Sequence, residues 1–201
     1  MSAQRLPFQV YLASSMLARL TWKRRYFKLF GSRVMAAGPV VAEFKASFLL
    51  AAALGQARPD VVRPILEASS RPGGDPYTFG LLRAHQLMDA AQGHPKSYED
   101  LFPDDARLSR DSDSWSGRKV LPFDFSFMLL QSRVVEGLAF GEQYPEATRQ
   151  LLEVEIREAL AIRADAQAHG APFVGPTWHG VQDLERDAQE IAATWQSLEA
   201  G

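Results

Sequence analysis

The chain has no cysteine among its 201 residues. That excludes disulfide frameworks, cysteine-ligated zinc, iron–sulfur clusters and thiol nucleophiles, and it is compatible with reducing or oxidising surroundings. Long apolar runs are also scarce. The longest, Ala46 to Leu54, is interrupted by Ser47 and preceded by Glu43 and Lys45. It falls well short of the ~20 residues of a spanning helix, so no transmembrane segment is expected. The chain holds no phosphate-binding glycine loop, no Gly-x-Ser-x-Gly elbow and no dinucleotide fingerprint. Acids are missing from residues 1–42, which contain Arg and Ser. The plain expectation is a cytoplasmic protein, with an organellar presequence as the alternative.

Positive charge is crowded where the acids are missing. Residues 1–50 hold eight Lys/Arg and a single acid, Glu43, whereas the rest holds 14 Lys/Arg against 23 Asp/Glu. The net charge of −2 therefore hides a segment near +7 joined to a body near −9. Such asymmetry implies an anionic partner, or a basic arm that neutralises an acidic surface of its own assembly.

The cluster is Trp22-Lys23-Arg24-Arg25-Tyr26-Phe27-Lys28, followed by Arg33. Lys23, Arg24, Arg25, Lys28 and Arg33 are the candidate anionic-partner residues; Trp22 and Tyr26 are candidates for stacking or an interface. On a helix these cations point in several directions, and on a strand they split between two faces. Cations snorkelling around a buried aromatic cluster are therefore an alternative to a free binding face. Trp22 to Met35 resembles the second-strand region of pleckstrin-homology domains, which implies phosphoinositide contact at Lys23 and Arg25. The resemblance covers 14 residues. Beyond it, Gly38 to Leu54 reads as helix where that family has strands.

From Gly38 onward the punctuation is helical. Val41, Phe44, Phe48 and Ala51 share a face, with Gly55 as the stop. Pro64 stands where a helix starts, and 69–74 (SSRPGG) reads as a loop. Asp75-Pro76 reads as a cap followed by a first-turn proline, and Gly93 ends that helix. Residues 94–119 read as a long polar loop containing Trp115, a candidate anchor. Phe123, Phe127, Leu130, Val134 and Leu138 then recur at helical spacing, with Gly141 as the stop. Pro145 opens a helix to about Ala168, and Arg149, Glu153 and Arg157 fall four apart on its exposed side. The last helix has a heptad-like seam of Val181, Leu184, Ala188, Ile191, Trp195 and Leu198. Trp195 is thus a candidate interface residue.

Together these features give a mainly α chain, a bundle-like or orthogonal array of about five to seven helices. A minor strand pair is placed near Phe8–Leu12 or Phe123–Phe127. The division is a basic, aromatic-rich segment at 1–36 and a helical domain at 37–201.

Candidate chemistry is sparse. His85 and Asp89 lie four apart on one helix face, as a base and its orienting carboxylate would, yet His85 also borders the apolar stripe as a core-edge histidine does. His179 sits in Gly-Pro-Thr-Trp-His-Gly, as a pocket residue or in a packed turn capping the last helix. Asp104 with Asp105, Asp111 with Asp113, and Glu155 with Glu158 are expected on solvated surface. Asp111-Ser112-Asp113 begins like a calcium loop but lacks its glycine and distal Glu. No metal or cofactor is expected. The leading expectation is a non-catalytic interaction or assembly subunit whose partner is another protein or a second copy. A nucleic-acid-binding accessory protein and a small helical enzyme with a pocket near His85 or His179 are the alternatives. An anionic membrane surface ranks behind these partners.

Overall fold

The computed structural model describes residues 34–68, 76–113, 120–170 and 178–199. The chain is mainly α-helical. In order, the described elements are β1 (Val34–Ala36), α1 (Ala37–Ala57), α2 (Pro59–Ala68), α3 (Pro76–Ala90), α4 (Tyr98–Leu101), α5 (Pro103–Asp113), β2 (Val120–Pro122), α6 (Phe123–Gln143), α7 (Pro145–Ala168) and α8 (Val181–Glu199). That is eight helices among the described residues, above the five to seven expected. The excess comes largely from α4 and α5, which occupy residues 98–113 of the stretch read as a polar loop at 94–119. Asp104 and Asp105 in the first turn of α5 complement its dipole, and Pro103 opens it. Pro103, inside the stretch read as loop, is a helix start.

A strand pair forms, at other positions than expected. β1 and β2 are antiparallel, with Val34 opposite Pro122, Met35 opposite Leu121 and Ala36 opposite Val120. Phe123–Phe127 belongs to α6, and Phe8–Leu12 lies outside the described residues.

At the centre lies α1. Phe48, Leu50, Ala51, Ala52 and Leu54 are all fully buried. Helices α5, α6, α7 and α8 pack around it, α6 most extensively, and α3 packs on α6. A helix covered on several sides is apolar over most of its circumference. The apolar stretch is consequently longer than Ala46–Leu54. Val40–Ala57 has the length and composition to cross a membrane, yet most of it is buried within the fold, as befits a central helix.

Glycine sets the α1–α6 crossing. A Cβ on Gly141 would lie 2.0 Å from the Ala52 carbonyl oxygen. One on Gly137 would lie 2.6 Å from the Phe48 oxygen, and one on Gly55 2.3 Å from the Leu138 oxygen. The two backbones thus touch with nothing between them, as small residues spaced four apart permit. Gly141 is a contact residue and not a stop; α6 runs on to Gln143. Gly55 likewise lies inside α1, and Pro64 inside α2 rather than at its start. Gly93 does end its helix region, with φ of 75° and its N–H bonded to Met88 O at 2.7 Å.

Next to this crossing, the Phe48 ring meets Tyr98, Phe102 and Phe140 at centroid distances of 5.7, 5.0 and 5.8 Å. Single-turn α4 is therefore held by the aromatic core and not by helix propensity. On α8, Leu184, Ala188, Ile191 and Ala192 are fully buried. Leu184, Ala188 and Ile191, this part of the heptad-like seam, dock inside their own chain, largely on α1.

Candidate functional site

The most concentrated chemistry in the described residues is a buried ionic network where α1, α4, α5, α6 and α7 meet. Arg133 projects from α6 and is nearly covered. Its guanidinium forks onto Asp105 of α5, Nε to Oδ2 at 3.0 Å and Nη2 to Oδ1 at 2.9 Å. The remaining nitrogen, Nη1, donates to Glu136 Oε2 at 2.8 Å. Glu136 in turn accepts from Arg83 Nε of α3 at 3.1 Å. The Tyr98 hydroxyl donates to Asp105 Oδ2 at 2.7 Å. The Phe102 ring lies 4.0 Å below the Arg133 guanidinium carbon.

These contacts set the protonation states. Burial, with the Asp105 charge next, pushes the Tyr98 phenol well above its ordinary range. Burial alone would depress Arg133. The Asp105 hydrogen bond and the negative charges around it outweigh that and raise it. Arg133 is thus locked as a cation and Tyr98 as a neutral donor.

A second limb starts from the same residue. The Tyr98 backbone N–H donates to Glu155 Oε1 of α7 at 2.5 Å. Glu155 also forms an ion pair with Lys45 of α1, whose ammonium reaches Glu99 Oε1 at 3.1 Å. Burial raises the Glu155 carboxyl against the pull of Lys45 and of the Tyr98 N–H. The Glu155 and Glu99 charges overcome burial at Lys45 and raise it as well. Both members of the pair hold their protons more tightly than in water.

Asp105 and Glu155 overturn the expectation of solvated carboxylates. Glu155 lies among Leu151, Leu152 and Ile156 of its own helix, whereas Asp105 is covered by Tyr98 and Arg133 of neighbouring helices; each is taken out of water with a cation to balance it. Their neighbours Asp104 and Glu158 are exposed, as expected. Glu99, Glu155 and Glu158 place one carboxylate oxygen each within 4.8 Å of one another. A metal ion would suit such a cluster by charge, but Lys45 already supplies a cation there. Chemically the network offers bound, opposed charges and no free nucleophile or base. It ties six helices, α1 and α3 to α7, at fixed distances.

The histidines are placed differently from the catalytic reading. His85 Nδ1 contacts the Tyr144 hydroxyl across the α3–α7 junction, rather than Asp89, and the two rings meet edge to face. Tyr144 is raised by burial and by the Asp89 charge. His179 belongs to a packed turn. Its N–H donates to Asp183 Oδ2 at 2.9 Å, which caps α8. Arg163 reaches both His179 Nδ1 at 3.2 Å and the Trp178 carbonyl at 3.0 Å. Buried Trp178 donates its indole N–H to Asp187 at 2.7 Å. Both histidines are exposed and engaged with neighbouring elements.

The candidate partner residues lie elsewhere. Trp22, Lys23, Arg24, Arg25, Tyr26, Lys28, Arg33 and Trp115 are outside the described residues, and of Trp195 only the backbone, in α8, is described. Nothing in sequence spacing marked Arg133 or Glu136, and Glu155 stood out only as the partner of Glu158 in a pair expected on solvated surface. The available signal was their position: each falls within an apolar helical stripe, beside Val134 and Leu138 or beside Leu151, Leu152 and Ile156. No protein-family model, curated protein or solved structure matches this chain, so the local likeness at Trp22 to Met35 has no support from a wider one.

Proposed function

We propose that the chain is a non-catalytic interaction or assembly subunit that binds an anionic surface of a partner protein through Lys23, Arg24, Arg25, Lys28 and Arg33. The observation in its favour is the state of charge in the described body. Eight of its cations, from Lys45 to Arg186, are paired with carboxylates of the same fold. Residues 34–201 carry 15 Lys/Arg against all 24 Asp/Glu, leaving an acidic excess of nine. The densest concentration of cations in the sequence precedes that body, at residues 1–33. A chain with an acidic body and a basic end is suited to charge-directed association.

The test begins with native mass spectrometry of the full chain recovered from its source, and a bound protein is the expected species. Binding of that protein is then titrated against the wild type and a variant with Lys23, Arg24, Arg25 and Lys28 all changed to Gln. The variant should bind more weakly by at least about tenfold, with a smaller response to salt. Equal affinity of the two chains, or recovery of a free monomer, overturns the reading. Recovery of bound nucleic acid, with a steep salt dependence lost in the variant, replaces it with a nucleic-acid-binding accessory role.

A further inference from the structure

We draw no further inference here: the strongest candidate, the cluster of Glu99, Glu155 and Glu158 where α4 meets the middle of α7, is already filled by the Lys45 ammonium, and no second observation among the described residues points to a ligand there.

Discussion

Substituting Gly141 by alanine sets two known effects against each other. In a helix interior alanine is favoured over glycine by about 1 kcal/mol. Against that, the new Cβ would stand 2.0 Å from the Ala52 carbonyl oxygen and 2.9 Å from Ala52 Cα. Ordinary carbon–oxygen approach is no closer than ~3.3 Å, so α6 must retreat from α1 by roughly 1 Å or more. A gap of that size forfeits about a quarter to a half of the dispersion energy along the crossing. Overpacking costs about 1–3 kcal/mol, and a backbone neighbour that cannot swing aside places this site at the upper end or beyond. The net expectation is a loss of about 2–4 kcal/mol. Urea unfolding of the full chain should show it as a midpoint lower by roughly 1–2 M with unchanged slope. Gly80→Ala is the control, because its Cβ would meet side-chain carbons at 3.1 Å (Ala139) and 3.9 Å (Leu66). There the propensity gain offsets the crowding, and stability should change by less than about 1 kcal/mol. Ala52→Gly should fail to rescue Gly141→Ala, since the atom met is a main-chain oxygen. If Gly141→Ala is as stable as wild type, or Gly80→Ala is equally damaging, the close crossing is wrong.

Arg133→Met leaves Asp105 and Glu136 buried without their shared cation, and chemical denaturation should report a loss of about 3–5 kcal/mol. Adding Asp105→Asn should recover part of that loss, whereas strict additivity would deny the coupling. Tyr98→Phe removes one donor from Asp105 but leaves the Arg133 fork, so only about 1–2 kcal/mol should be lost. Glu43 is buried on α1, and desolvation raises its carboxyl from 4.5 to about 7. Its protonated form suits the fold, so its contribution is complete below about pH 4.5 and disappears as pH rises through 7. Wild-type stability should fall by about 3 kcal/mol between pH 5 and pH 8 through this group, and Glu43→Gln should flatten that slope. A variant with an unaltered pH profile would contradict the burial. Lys45→Met should destabilise the chain more at pH 8 than at pH 5, because the Glu155 carboxylate then loses its counter-ion; an equal loss at both would refute the pairing.

The helices most readable from sequence were those whose ends carry proline or glycine with a mechanism. Pro145 to Ala168 matches α7 residue for residue, and Gly93 closes the α3 region through a positive φ. Glycine misled where it served contact instead of termination: Gly55 and Gly141 read as stops because sequence spacing cannot show a second backbone 83 or 89 residues away. Residues 98–113 misled because α4 is held by Phe48 and α5 by Arg133, tertiary contacts that local propensity does not register, although Pro103 with Asp104 and Asp105 did mark the start of α5. The ionic network was hidden for a related reason. Asp105, Arg133 and Glu155 are ordinary surface residue types, and only their partners on other helices make them interior ones. The basic cluster, by contrast, was legible as composition and stays at that level.

The α1–α6 crossing has a consequence for how the chain is made. Phe48 lies against Gly137, Ala52 against Gly141, and Lys45 reaches Glu155, so the central helix depends on residues 89 to 110 positions downstream. At synthesis rates of about 5–20 residues per second, the most apolar segment of the protein would wait roughly 4–20 s for its principal neighbour to be translated. During that interval α1 is an exposed hydrophobic helix with no native surface to meet. The helix that ends as the most sheltered part of the fold is thus, during birth, the part most in need of shelter.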